Sequence, residues 1–171
     1  QESTILREKI QLISKCGIQL VGKSRPNTIH HYSYSKEYII WSAEESLRNL
    51  KTEYLDTFLL HRPSPLMHPN EIAEAVLALQ ESGKIINFGV SNFTPSQVAL
   101  IADTIPIAVN QIEFSLTQHT AMENGSLDQL LQKEIQPMSW SPLGSVFKEE
   151  TAKTIRIKKV LKTLTKKYKC P

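Results

Sequence analysis

Five short apolar segments of this 171-residue chain each end in side chains that can move a proton, carry a charge or grip a planar ligand. Lys15 closes 12–16, and His61 follows 57–60. Ser91 and Asn92 follow 85–90, Gln111 and Glu113 lie in 108–114, and Trp140 and Ser141 end the segment that starts at Pro137. An ammonium can lower the pKa of a neighbouring hydroxyl or form a Schiff base. A neutral imidazole can orient and polarise a carbonyl oxygen. Side-chain amides donate and accept at once, which suits a carboxamide, and an indole can stack on a planar ring. Each residue also has a plain structural reading. Lys15 can snorkel from a rim, His61 can be a satisfied hydrogen-bonding residue, Ser91 and Asn92 can cap a helix, and Gln111 and Trp140 can be interior packing. The chemical reading requires all five segment ends to line one pocket.

The segments that must position these residues alternate with helical patterns. Ile40, Ala43, Leu47 and Leu50 recur at helical spacing over 36–50 behind Ser35 as a cap. Pro69 suits a helix start, Ile72, Ala73, Val76 and Leu79 follow on one face, and Gly83 ends it. Thr94-Pro95-Ser96-Gln97 reads as a capping box, and Ser126 with Gln129 as a second. A last helix carries Ile157, Val160, Leu161, Leu164 and Tyr168 on one side and lysines on the other. Strands alternating with helices imply a parallel α/β sheet, either doubly wound or closed as a (β/α)8 barrel. No G-x-G-x-x-G follows any strand, which removes the dinucleotide signature of the open sheet. A barrel typically takes about 250 residues, so this reading expects a single domain over 1–171 that lacks barrel segments at both ends.

The composition is that of a globular unit, with 40% hydrophobic residues, 22% charged residues and a net charge of +3. So mild a balance argues against nucleic acid as the main partner, and the lysines of the last helix read as a solvated face. No apolar run approaches the roughly 20 residues that cross a bilayer. Cys16 and Cys170 do not form a secreted disulfide framework, so a reducing, cytoplasmic setting is the simpler reading. The chain begins with Gln1 and shows no signal peptide, so it is expected to start inside something longer. The glycosylation patterns at Asn92 and Asn124 are read as unmodified, and no metal is assigned.

Ile13-Ser14-Lys15-Cys16-Gly17, Leu59-Leu60-His61-Arg62-Pro63, Gly89-Val90-Ser91-Asn92-Phe93, Asn110-Gln111-Ile112-Glu113 and Ser139-Trp140-Ser141-Pro142-Leu143-Gly144 resemble the successive strand-end motifs of aldo-keto reductases. They stand in that family's order and spacing over nearly the whole chain. The resemblance implies a (β/α)8 barrel whose third to seventh strands are present, and hydride transfer from NADPH to an aldehyde or ketone. It implies that Lys15 and His61 are two of four catalytic residues, and that the Asp and Tyr belong to motifs ahead of Lys15. Ser91, Asn92 and Gln111 match the residues that hold the nicotinamide carboxamide, and Trp140 matches the stacked aromatic. Ser141, Leu143 and Gly144 match the loop that passes the pyrophosphate. The competing functions are a non-catalytic nucleotide-binding barrel, a truncated inactive member of the family, and a Schiff-base lysine aldolase.

Overall fold

A computed structural model describes residues 7–22 and 27–169. Gln1 and Cys170 lie outside the described residues. The elements run β1 (Ile13–Cys16), β2 (Ile18–Gln19), β3 (His31–Tyr32), α1 (Lys36–Leu50), β4 (Leu55–Leu60), α2 (Pro69–Glu81), β5 (Ile85–Ser91), α3 (Pro95–Ala102), β6 (Val109–Glu113), a 3-10 turn at Thr120–Met122, α4 (Ser126–Gln132), β7 (Gln136–Trp140) and α5 (Ala152–Tyr168).

Five strands form one parallel sheet in the order β1-β4-β5-β6-β7, which is the order of the chain. A doubly wound sheet reverses its strand order at a switch point, and none occurs here. The arrangement is an arc of a (β/α)8 barrel, with β1 and β7 at its edges. The sequence reading did not anticipate the small antiparallel ribbon of β2 and β3.

Register decides which side chains share a face. Lys15 lies opposite Leu59, and Leu59 opposite Gly89. Two residues further along, Ser91 lies opposite Gln111 and Gln111 opposite Met138, and two beyond that Glu113 meets Trp140. Because alternate residues share a face, Lys15, Ser91, Gln111 and Trp140 all belong to the inner side of the arc. The intervening residues Cys16, Phe58, Leu60, Phe88, Val90 and Ile112 turn outward into one buried cluster with Ile39, Ala43, Ile72, Val76 and Leu79 of the helices.

Most expected helix signals are used. The Ser35 hydroxyl accepts from the Tyr38 amide at 3.2 Å, Pro69 opens α2, and Gly83 follows it with φ 68°. Gln97 Oε1 accepts from the Thr94 amide at 3.0 Å. Two expectations need correction. The buried face of α1 is Ile39, Ser42, Ala43 and Leu47, while Leu50 is exposed. Periodicity cannot choose between adjacent apolar positions such as Ile39 and Ile40; contacts such as the Ser14–Ser46 hydroxyl pair at 2.7 Å do. The second capping box does not form. Gly125, with φ 77°, is the cap of α4, and Asn124 Oδ1 accepts from the Ser126 amide at 3.0 Å. Gln129 instead donates to the Pro95 carbonyl at 2.6 Å, tying α4 to α3. Helix α5 buries only Thr154, and its Val160 and Leu164 are exposed along with most of its lysines.

The amino-end rim is held by charge. Asp56 Oδ2 pairs with Arg7 at 2.9 Å and accepts from the Leu12 amide at 2.7 Å, while the Arg7 guanidinium lies 3.9 Å over the Tyr54 ring. Asp56 is thus engaged in holding this rim together. At the centre of the inner face, a Cβ on Gly89 would stand 2.6 Å from both Leu59 Cδ2 and the Val109 carbonyl oxygen. Backbone cannot yield as a side chain tip does. Gly89→Ala is therefore expected to lower stability by about 1–3 kcal/mol, read as a fall in the urea midpoint; an unchanged midpoint would show that β5 and β6 can separate freely.

Candidate active site

The inner-face residues meet at the carboxyl ends of the strands, around a cleft of about 200 Å³ lined by Lys15, His61, Arg62, Ser91, Asn92, Gln111 and Trp140. Lys15, His61, Ser91, Asn92 and Gln111 of the first four segments and the indole of the fifth are therefore together, while Glu113 is not among the lining residues. A second cleft of about 400 Å³ adjoins it, sharing Lys15 and His61 and adding Tyr38, Trp41, Ser42 and Glu45 among its walls. The ammonium and the imidazole thus stand where the two clefts join.

The His61 backbone amide donates to the Cys16 carbonyl at 2.9 Å, which fixes the ring next to the lysine's strand. Partial burial, then the charges of Lys15 and Arg62, pull the His61 pKa below its ordinary 6.5. The ring is therefore neutral at neutral pH, with one N–H to offer a carbonyl oxygen. Ser91 is buried, and its hydroxyl accepts from Asn92 Nδ2 at 3.0 Å. Asn92 sits at φ 62°, a left-handed conformation that asparagine tolerates better than most residues. Its backbone amide donates to the Gln111 carbonyl at 2.8 Å and its Nδ2 to the His61 carbonyl at 3.3 Å, while its Oδ1 accepts from Trp140 Nε1 at 2.8 Å. The Gln111 side-chain Nε2 donates to Met138 Sδ at 3.2 Å. Sulfur is a weak acceptor, so that amide can exchange it for a better partner.

Ser141, Leu143 and Gly144 form the turn after β7, outside the lining of the smaller cleft. The Gly144 amide donates to the Ser141 carbonyl at 2.8 Å, and Leu143 is exposed. Gly144 has φ 53°, and a Cβ there would run into Thr117 Oγ1 and stand 2.6 Å from Ser115 Oγ. The Ser145 amide donates to Thr117 Oγ1 at 3.0 Å, so the segment after β6 braces the turn. Sequence reasoning missed Ser115, Thr117 and Arg62. Arg62 was readable as the neighbour of His61, whereas the bracing pair needs tertiary contacts to be seen. Tyr34, which follows the lysine, is buried; its phenol donates to the Arg62 carbonyl, and burial pushes its pKa up. Its hydroxyl is thus engaged with the backbone at Arg62. Among the described residues there is no group of three or more potential metal ligands, and no helix is long and apolar enough to cross a membrane.

The family model described as "Aldo/keto reductase family" matches residues 3–168. The chain is 46% identical to the oxidoreductase YcsN of Bacillus subtilis over 93% of its own length and 55% of the relative's. It is 48% identical to the oxidoreductase YdhF of Escherichia coli over 81% of its length and 47% of the relative's. The chain thus spans about half the length of the curated relatives it matches. Among solved structures, the glycerol dehydrogenase of Gluconobacter oxydans superposes with a TM-score of 0.69 at 27% identity, over 77% of this chain and 40% of that one.

The electrostatics of the cleft give a direct expectation. In a proton NMR titration the His61 ring should titrate below 6.5, and Lys15→Met should move the midpoint upward by removing a repelling positive charge. A midpoint that Lys15→Met leaves in place would separate the two side chains.

Proposed function

The chain belongs to the aldo/keto reductase family, and from that premise we propose that the protein reduces a small aldehyde or ketone to the alcohol by hydride transfer from NADPH. The observation that supports this most strongly is the convergence of ammonium, imidazole, amides and indole on one cleft. The oxidoreductase names of the relatives agree with it.

The residues present fit a nicotinamide dinucleotide. Ser91 and Gln111 offer a hydroxyl and an amide to a carboxamide, with Asn92 between them, and the Trp140 indole supplies a flat wall. The turn at Ser141, Leu143 and Gly144 would lie along the pyrophosphate, where Gly144 lets the backbone sit close against Ser115 and Thr117. NADPH, when bound, supplies the hydride. Arrival of a hydride at a carbonyl carbon places negative charge on its oxygen, and the protein must answer that charge. The neutral His61 ring would orient the carbonyl and donate to its oxygen. The Lys15 ammonium would stabilise a neighbouring phenolate, easing proton release from a tyrosine with an ordinary pKa near 10. On this reading, that tyrosine and its aspartate would belong to motifs ahead of β1. A cytoplasmic location accords with the buried free thiol of Cys16.

Lys15→Met and His61→Ala are each expected to lower carbonyl turnover by at least a hundredfold, the usual worth of a positioned acid–base group, with NADPH affinity largely kept. Turnover at the parent rate in both variants would remove their assignment. Trapping with borohydride and a carbonyl substrate should leave Lys15 unlabelled; a labelled lysine would mark a Schiff-base enzyme instead. Trp140→Ala is expected to weaken NADPH binding by more than it lowers the urea midpoint, because the indole stands at the mouth and not in the core; unchanged affinity would remove the stacking role.

A further inference from the structure

One residue touches four consecutive strand ends. Asn92 follows β5; its Nδ2 reaches the His61 carbonyl beyond β4, its backbone amide reaches Gln111 of β6, and its Oδ1 takes the indole N–H of Trp140 on β7. Strands β5 and β7 are not neighbours, since β6 lies between them. The Trp140–Asn92 bond at 2.8 Å therefore passes over β6 and ties the indole to a strand with which β5 does not pair. The position demands three properties at once: tolerance of φ 62°, an acceptor for the indole and a donor for the carbonyl. Glycine has the first alone, and aspartate lacks the donor.

We propose that Asn92 is a positioning residue, whose amide clamps the Trp140 indole in a fixed orientation relative to His61 so that the aromatic wall and the imidazole hold one spacing across the mouth. The proposal rests on the reductase reading for its consequence, since the clamped wall is the surface expected to meet the nicotinamide. The geometry of the clamp is independent of that reading. A phenylalanine at 140 would offer a ring of related shape with no N–H, and the amide of Asn92 would lose the partner that sets its orientation. A direct ligand role for Asn92 alone would make no demand on the chemistry of residue 140.

The experiment has two arms on the full-length protein. The first uses the indole N–H resonances of the ¹⁵N-labelled protein without cofactor. Trp140→Phe, which removes the Trp140 resonance, assigns it. Asn92→Gly is expected to move the Trp140 resonance upfield, toward that of an indole bonded only to water, while Asn92→Asp, which keeps the acceptor, holds it downfield. A Trp140 resonance that Asn92→Gly leaves in place overturns the clamp. The second arm titrates NADPH into Asn92→Gly, Trp140→Phe and the double variant. The shared Asn92–Trp140 hydrogen bond, of net worth up to about 1.5 kcal/mol, accounts for weakening of about tenfold at most in each single variant. Because both remove that bond, the loss in the double variant should fall short of the product of the two single losses. Losses that multiply overturn the proposal and leave two separate ligands. A parent protein that binds no NADPH at all refutes the reductase reading, and the indole resonance still decides the clamp.

Discussion

The parallel register of the sheet is the constraint on which the site depends. Each strand rises about 3.3 Å per residue and alternates its side chains between two faces. A slip of one residue in any pairing would turn that strand's functional side chain outward. With Lys15 level with Leu59 and Gly89, and Ser91 level with Gln111 and Met138, the polar groups fall on the inner face. The same alternation sends Phe58, Leu60, Phe88 and Val90 outward, where helices bury them. Hydrophobic burial on one face thus specifies the register that assembles chemistry on the other.

Gly89 shows how tightly the inner face is drawn. It sits level with Lys15 and presents no side chain, and the Leu59 side chain and the Val109 carbonyl close over it. Above that level the side chains become polar and the arc opens into the two clefts. Left-handed backbone at Asn92, Ser141 and Gly144 marks this rim, where strands give way to turns. At the opposite rim the charges do structural work, with Asp56 tying Arg7 to the Leu12 amide. The two ends of the sheet therefore differ, with an ion pair and its hydrogen bonds at one rim and the two clefts at the other.

The electrostatics of the mouth follow from the same packing. Lys15 and Arg62 stand close enough to His61 to disfavour its protonation, and partial burial acts in the same direction. The site is thus set to keep a neutral imidazole beside an ammonium, the combination that can donate to a developing oxyanion without titrating near neutral pH. The phenol of Tyr34, buried beneath the same loop, is spent on the Arg62 backbone and steadies the segment that carries this charge.

The sequence by itself determined the alternation of strands and helices, the ends of α1 and α2, and the identity of Lys15, His61, Ser91, Asn92, Gln111 and Trp140 as strand-end residues. These follow from local rules: period, capping, proline and glycine placement. The resemblance of the strand-end motifs already implied a barrel over an open sheet, and the strand order β1-β4-β5-β6-β7 bore that out. The tertiary structure decided that α1 buries Ile39 and not Leu50, that Gln129 reaches Pro95 and caps nothing, and that Ser115 and Thr117 brace Gly144. It alone joined Asn92 to Trp140, 48 residues apart. Such contacts are invisible in sequence because a side-chain amide or hydroxyl has several partners within reach of any local pattern, and only the packed sheet removes all but one.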